Sequence, residues 1–392
     1  MFTAIIPLLY FAASAFISLV ALDSAQSIRP VLYVLLSACG LLAFSRLRDL
    51  PFDEMITGVL GLFVLVWLTC TFCVLLLEKH RIPRTQNAVS FNWHGAYKMC
   101  FNPRWVGTSK TTAEANSKPS APGSAEKGGS FTRVPRKAFL FRRIRSAVTL
   151  FVLSRLVGFA LSNLGSFAIQ PLHHSDFAPA KEIYFRRLIH GSITFRETTI
   201  RAAWAFMWIW PNFATLTAIH DVLALFFVGV LGLDEPEEWP ALFGSPSEAY
   251  SIRQFWAKFW HRCVYRTYLT FAIPFSEKVL QLRQRSMPGQ LVINFIVFLI
   301  SGVMHALVTR QMGYKCGAWR DVWWFCANFE AIAAETLLQQ LWKTLFPQRR
   351  GGSKTTVPVV GRAIGFLWVF AFFFWSVPKW QYPKVYCGQT QT

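Results

Sequence analysis

Two histidines lie in segments that are otherwise aromatic, apolar or small. His305 lies in SGVMHALVT, inside an apolar run that begins near Leu291, and His261 ends the segment FWAKFWH. Imidazole titrates close to ambient pH, so it can take up and return a proton in acid–base chemistry. A charged group inside a spanning helix costs about 2.5–3.5 kcal/mol on insertion scales and normally faces a protein interior or a cavity. His305 is therefore a candidate for catalysis or proton transfer.

The pattern around His305 also fits a structural role. A neutral imidazole costs less than a full charge, and one helix-to-helix hydrogen bond can satisfy it. Ser301 and Gly302, one turn earlier, are small enough to admit a neighbouring helix or a substrate chain. Periodicity alone leaves both interpretations open.

Other polar residues are weaker candidates for catalysis or metal binding. His220 and Asp221 form a competing proton-transfer pair, although adjacent residues point to different helix faces. His173 and His174 also diverge and have no partner at metal-ligand spacing, which favours a loop or interfacial pair. We expect no metal site, and the glycines form no phosphate-binding loop or dinucleotide fingerprint. Cys70 and Cys73 are interpreted as small buried apolar residues, and the eight cysteines do not suggest a disulfide framework.

The elements that position these groups are membrane helices. The chain of 392 residues is 53% hydrophobic and only 15% charged, and its apolar residues fall in long blocks. This composition predicts an all-α, polytopic membrane protein with about seven to nine transmembrane helices, each near the ~20 residues needed to cross the bilayer. The first span is expected to be retained, since no basic region precedes it. The candidate spans are Ala4–Leu22, Pro30–Phe44, Ile56–Leu77, Ala147–Ile169, Ala202–Leu233 (kinked or split near Pro211), Leu291–Val308, Val322–Leu341 and Ala363–Val377, and Thr267–Phe275 is expected to dip into the bilayer.

The charge indicates topology rather than nucleic-acid binding. Of the net +20, a large share lies in residues 78–146, which we expect to face the cytosol and which contain a low-complexity linker at about 108–130. The FLFRRIRSAV stretch is predicted to anchor at the membrane surface. We divide the chain into N-terminal helices (1–77), this basic loop (78–146) and a catalytic transmembrane region (147–392).

The two histidine segments carry a family resemblance. SGVMHAL resembles the Ser-Gly-x-x-His element of the membrane-bound O-acyltransferase (MBOAT) superfamily, in its wax-synthase-like branch. FWAKFWH resembles the Phe-Trp-x-x-x-Trp-His/Asn segment of that branch, and the LDEPEEWPALFGSPSEAYSIRQFW stretch is similar in layout to the approach to it. The match covers about Leu233 to Val308. It implies an MBOAT-like helical core with an internal tunnel.

The resemblance implies transfer of an acyl group from acyl-coenzyme A to a hydroxyl. His305 then takes the place of the general base, and His261 orients the acceptor or polarises the thioester carbonyl. Transfer is direct, because coenzyme A is already a good leaving group, and Ser301 is not interpreted as a nucleophile. Acyl-CoA is a co-substrate and no cofactor is expected. Substrate contacts are predicted for Trp260, Trp256, Phe255, Ser301 and Gly302, and acyl-CoA contacts for Lys258, Arg253 and Arg262.

Departures from the family pattern narrow the expected acyl donor and acceptor. Ala306 follows His305 where relatives often carry an acid, and Lys258 and Phe259 stand where plant wax synthases tend to place paired arginines. With these changes the chain resembles the divergent acetyltransferases of fungal secondary metabolism. This resemblance implies acetyl-CoA as donor and a hydroxyl of a lipophilic terpenoid or meroterpenoid as acceptor. Trp204, Trp208 and Trp210 could line an acceptor pocket but are better explained as packing or interfacial residues.

Two alternatives remain open. A long-chain acyl donor would make the chain a wax-ester synthase. A multi-pass transporter would use His305 as a proton relay, although acids in or near the apolar spans are few: Glu330, Glu335 and Asp221. We expect an endoplasmic-reticulum membrane location, with the lipid bilayer, acyl-CoA and a hydroxylated small molecule as partners.

Overall fold

The structure, a computed structural model, describes residues 2–80, 93–101, 134–168, 171–314, 316–346 and 359–389. Every regular element in these ranges is helical, which confirms the all-α prediction. The principal helices are α1 (Ile5–Asp23), α2 (Arg29–Ser45), α3 (Glu54–Phe72), α4 (Trp93–Phe101), α5 (Arg136–Ala168), α6 (Tyr184–Ile189), α7 (Phe195–Met207), α8 (Ile209–Ala224), α9 (Tyr265–Pro274), α10 (Met287–Gln311), α11 (Ala318–Leu345) and α12 (Val359–Gln389).

The eight predicted spans all coincide with helices. Six stretches of the described residues are long and apolar enough to cross a membrane: Ile5–Asp23, Glu54–Leu77, Arg136–Asn163, Phe195–Val230, Met287–Gln311 and Val359–Cys387. Helix α2 is apolar but shorter, and α11, although 28 residues long, is not among the six. The chain is therefore an integral membrane protein.

Two boundaries differ from the sequence prediction or refine it. Helix α5 begins at Arg136, so FLFRRIRSAV is helical and continuous with the predicted span that follows it. Its anchoring at the membrane surface stays a prediction. The long Ala202–Leu233 stretch is split into α7 and α8 at Trp208, three residues before Pro211. Proline has no backbone N–H and is best accommodated in the first turn of a helix, which explains a new helix starting there. The low-complexity linker at about 108–130 lies outside the described residues, as does most of the 78–146 loop.

The chain forms two compact units. The first contains Met1–Pro103, Pro171–Phe206 and Ser245–Thr392, and the second contains Arg104–Gln170 and Met207–Gly244. Both histidine segments belong to the first unit. The three-part division made from the sequence stays a prediction.

In the first unit, α3 runs antiparallel to α10. Gly61, early in α3, lies against Val308 near the end of α10, where an added Cβ would be 3.2 Å from a Val308 methyl carbon. At the same end the Tyr314 hydroxyl donates a 2.6 Å hydrogen bond to the Glu54 carboxylate. Burial, together with this hydrogen bond, raises the pKa of Tyr314 to about 12, so the phenol stays a donor at physiological pH.

In the second unit, α5 and α8 share a buried ion pair. The Asp221 side chain is fully buried and lies 2.8 Å from the Arg143 guanidinium, which also donates to the Trp239 carbonyl. The neighbouring His220 ring packs beside Trp239, with ring centroids 5.1 Å apart. Asp221 therefore has a structural partner in Arg143, while the His220 Nδ1 atom lies farther from the same carboxylate oxygen, at 3.9 Å.

Candidate active site

His305 lies at a close contact between α10 and α11. Its ring is half-buried and stacks on Phe325, with ring centroids 4.8 Å apart. Gly302, one turn earlier, allows this approach, because a Cβ there would be only 2.8 Å from the Val322 Cα atom. The space that the sequence left open to a helix or a substrate is thus filled by α11. Ser301 donates a 2.8 Å hydrogen bond to the Val297 carbonyl of its own helix.

The FWAKFWH segment follows a short helical turn (Ile252–Gln254) and begins with a wider π-helical turn (Phe255–Phe259). The wider turn places Phe255 and Trp256 toward the interior of the unit. Phe255 is 2% exposed and packs on Trp260 and Phe373. The Trp256 indole donates a 2.9 Å hydrogen bond to the Asn328 side chain of α11. The motif is thereby fixed to α11 and α12.

The two histidine segments meet at Phe325. This ring lies 5.9 Å from the Trp256 ring and 4.8 Å from the His305 ring, measured between centroids. Trp256 in turn lies 5.9 Å from Trp260, and His261 is half-buried beside Trp260 at 5.7 Å. Residues about fifty positions apart in sequence therefore belong to one aromatic cluster, with an imidazole at each end.

Three basic residues of the motif are exposed, as acyl-CoA contacts would need to be. These residues are Arg253, Lys258 and Arg262. The Arg253 guanidinium reaches the Gln339 side chain at 3.4 Å, and the Arg262 guanidinium lies 4.6 Å from the centroid of the Tyr265 ring.

Glu335 stabilises the same region by accepting three hydrogen bonds. Its carboxylate accepts the backbone N–H groups of Ile252 and Arg253 at 2.7 and 2.9 Å, and the Trp368 indole at 2.7 Å. It caps the turn that leads into FWAKFWH. Glu335 is therefore engaged in holding the start of the motif.

Sequence reasoning missed a buried charge cluster beside His305. The Asp321 carboxylate, in the first turn of α11, is 1% exposed and accepts from Lys384 and Trp380 at 2.6 Å each and from Thr309 at 2.7 Å. The only sequence signal was an acid next to the apolar block starting at Val322, and a lysine, Lys384, within the aromatic stretch of α12. Neither residue stands at a motif position.

One disulfide corrects the expectation from the cysteine pattern. Cys316, just before α11, is bonded to Cys387 near the end of α12. The sequence could not reveal the pair because 71 residues separate its members and the helices between them bring it together. Cys70 and Cys73 are free and buried, as predicted.

The remaining sequence candidates are structural. His174 packs on Tyr386 and reaches its carbonyl at 2.9 Å, while the backbone N–H of His173 donates to Asp176. Trp204 packs edge-to-face on Phe177. Among the described residues no group of three or more potential metal ligands is found.

This is the arrangement of an all-helical membrane protein whose two motif segments bring an intramembrane imidazole and a second histidine into one aromatic cluster. The model of the membrane bound O-acyl transferase family matches residues 239–327, which include FWAKFWH, His305 and Asp321. The resemblance predicted from the two motifs is confirmed.

The curated proteins that this chain resembles include several fungal acetyltransferases. The chain is 26% identical to acetyltransferase spyB of Aspergillus fumigatus over 64% of this chain and 42% of that protein. It is 33% identical to acetyltransferase ple2 of Rhodocybe pseudopiperita over 44% of each chain, and 28% identical to acetyltransferase nanB of Aspergillus nanangensis over 44% of this chain and 41% of that one. The match thus spans less than half the length of these relatives. No solved structure matches the chain.

Proposed function

We propose that this protein transfers an acyl group from acyl-CoA to a hydroxyl of a lipophilic acceptor, with His305 as general base. The names of its relatives point to acetyl as the group transferred. The observation that carries the proposal is the position of the His305 ring. It stacks on Phe325, which also contacts Trp256 of the second motif, within the segment that matches the acyltransferase family.

The chemistry of the reaction fits one imidazole. His305 takes the proton of the acceptor hydroxyl as the oxygen attacks the thioester carbonyl carbon. The new C–O bond forms, the C–S bond breaks, and the coenzyme A thiolate leaves and receives the proton from the imidazolium. No covalent acyl-enzyme is needed. His261 acts in this scheme by orienting the acceptor or polarising the thioester carbonyl.

The donor and acceptor follow from the relatives and from the aromatic surroundings. The relatives are named acetyltransferases, which favours acetyl-CoA over the long-chain donor of a wax-ester synthase. Phe255, Trp256 and Trp260 give the second motif an aromatic wall suited to a rigid, apolar scaffold. We therefore propose a hydroxylated terpenoid or meroterpenoid as acceptor, with contacts to these rings and to Ser301, whereas Gly302 packs against α11. Glu335 and Asp221, two of the few acids in or near the spans, have structural partners, which does not favour the transporter alternative.

The exposed cations of the second motif are proposed to hold the coenzyme. Coenzyme A carries several phosphate charges, which basic side chains bind by charge-assisted hydrogen bonds. Replacing Lys258 and Arg262 together by alanine is expected to raise the KM for acyl-CoA about tenfold while kcat stays within twofold, because the reacting atoms are untouched. Steady-state kinetics in membranes measures this. The control is Lys278→Ala, an exposed lysine outside the motif, and equal KM values in both variants would contradict the assignment.

We further propose that the 78–146 loop faces the cytosol and that the disulfide faces the lumen of the endoplasmic reticulum. Helices α3 and α10 are antiparallel, so the end of α3 that leads into the basic loop lies opposite the Tyr314–Glu54 contact. The Cys316–Cys387 bond lies at the Tyr314 end, and disulfides persist in oxidising compartments. Arg283 and Arg285, before α10, are on the proposed cytosolic side, as the positive-inside tendency favours.

This topology predicts the behaviour of two cysteines. In sealed microsomes a membrane-impermeant maleimide is expected to leave Cys316 and Cys387 unmodified, even with an impermeant reductant outside. After permeabilisation and reduction, the wild type is expected to gain two more labels than the Cys316→Ser/Cys387→Ser variant. Gel-shift counting of labels checks this. Labelling of both thiols in sealed vesicles after addition of the impermeant reductant would reverse the topology.

The proposed activity is tested by acyl transfer in membranes from cells that express the full chain. Labelled acetyl-CoA or palmitoyl-CoA is supplied with a panel of lipophilic alcohols that includes polycyclic terpenoids. We expect labelled ester from acetyl-CoA with at least one polycyclic alcohol and little from palmitoyl-CoA. Preference for palmitoyl-CoA would establish the wax-ester alternative, and absence of ester with every donor and acceptor would count against acyl transfer.

A further inference from the structure

The sequence of this chain lacks an acid next to the intramembrane histidine, because Ala306 follows His305. The structure places a carboxylate nearby from another helix. Asp321 and Phe325 are one turn apart on α11, as Thr309 and His305 are on α10. Phe325 stacks on His305, and Asp321 accepts the Thr309 hydroxyl at 2.7 Å. Two consecutive turns of α11 therefore pair with two consecutive turns of α10, one by ring stacking and one by a hydrogen bond.

Three side chains donate hydrogen bonds to the Asp321 carboxylate. Lys384 and Trp380, both on α12, donate to one oxygen at 2.6 Å, while Thr309 donates to the other. The Lys384 ammonium also reaches the Thr309 hydroxyl at 3.3 Å. An isolated charge at this depth would be costly, whereas a paired and hydrogen-bonded one is tolerated. The cluster therefore has a defined geometry that joins three helices.

The cluster lies one helical turn from His305. Thr309, which donates to Asp321, follows His305 by one turn of α10, and Asp321 precedes Phe325 by one turn of α11. An imidazole that accepts a proton in apolar surroundings becomes a cation that needs a nearby negative charge. Asp321 is placed to supply it, without contacting the substrate.

We propose that Asp321, held by Thr309, Trp380 and Lys384, is a positioning residue for His305, which fixes the register of α10 against α11 and balances the imidazolium that forms when His305 accepts the hydroxyl proton. This inference rests on the proposed acyltransferase function. The step itself moves one proton from the acceptor hydroxyl to the imidazole and then to the departing thiolate. Asp321 takes no proton.

The test separates a charge effect from a merely structural one. Asp321→Asn alone leaves Lys384 without its counter-charge, so this variant is expected to lose abundance. Asp321→Asn/Lys384→Met removes both charges together, and is expected to regain abundance to within about twofold of wild type. If the proposal is correct, its kcat stays about tenfold or more below wild type per folded molecule, while the KM for acyl-CoA changes less than twofold. A wild-type kcat in the double variant would overturn the proposal.

A second variant keeps the proposal testable if the double variant does not fold. Thr309→Val preserves the shape of the side chain and leaves the Asp321–Lys384 pair in place, so it is expected to be abundant and to lower kcat several-fold. Wild-type kcat in this variant would overturn the positioning role. His305→Ala is measured in the same series. If it remains active, the proposed role of His305 fails and the inference fails with it; if it is inactive while the double variant is fully active, only the inference fails.

Discussion

Replacing His305 by alanine is expected to lower kcat/KM for acyl transfer by about 10²–10⁴-fold, the range that general acid–base catalysis contributes. The ring makes its described packing contact with Phe325 and is half-buried, so its loss removes the base and leaves the close α10–α11 contact at Gly302 in place. The variant is therefore expected to insert and accumulate normally. Initial rates per folded molecule, with abundance determined by fluorescence-detected size exclusion, measure the effect.

The control for this variant lies on the same helix. Leu307 is 45% exposed on α10, and Leu307→Ala removes a side chain of comparable size without touching the Phe325 contact. It should retain activity within about twofold of wild type. A His305→Ala enzyme that forms ester as fast as Leu307→Ala would show that His305 is a packing residue and not the base.

The second large effect is expected at Gly302. A leucine there would drive its Cβ atom to 2.8 Å from the Val322 Cα atom and 3.2 Å from the Phe325 Cβ atom. Backbone cannot yield as a flexible side chain can, so α10 and α11 must separate and His305 must move from its place. Overpacking of this kind costs about 1–3 kcal/mol, and a displacement near 1 Å at a catalytic group can cost about 10²-fold in rate. We expect a lower thermal midpoint and a kcat reduced by about that factor.

Gly158 provides the matched control. It lies in the middle of α5, and a Cβ added there meets nothing within 4 Å. Gly158→Leu should therefore be neutral or slightly stabilising, because leucine favours helix more than glycine does. Equal thermal midpoints and rates for the two leucine variants would contradict the close α10–α11 contact.

The two motif segments of the site could be predicted from the sequence because each one is a short, continuous stretch of residues. SGVMHAL and FWAKFWH carry their aromatic, small and histidine residues within one or two turns, and the helices around them follow from long apolar blocks. Their meeting at Phe325 could not be predicted. It depends on the side of α11 that faces α10, and on a π-helical turn that rotates Phe255 and Trp256 inward.

The Asp321 cluster was missed for a similar reason. Asp321 and Lys384 are 63 residues apart, and as isolated residues at the edges of apolar blocks they resemble ordinary interfacial charges. Helix α5 begins eleven residues before the predicted span, because lysine and arginine are good helix formers and continue the helix beyond the apolar block. Local sequence patterns therefore predict the helices well, but they predict contacts between helices that are distant in sequence poorly.

The central claim is that His305 promotes transfer of an acyl group from coenzyme A to a hydroxyl. The most direct measurement quantifies free coenzyme A thiol and ester in the same sample of full-length protein in lipid nanodiscs, supplied with labelled acetyl-CoA and the best acceptor alcohol. If His305 is the base, one thiol is released for each ester formed, and the rates of both fall together by at least about 10²-fold in His305→Ala. Ester formation that is unaffected by His305→Ala, or thiol release that is independent of the acceptor, would contradict it.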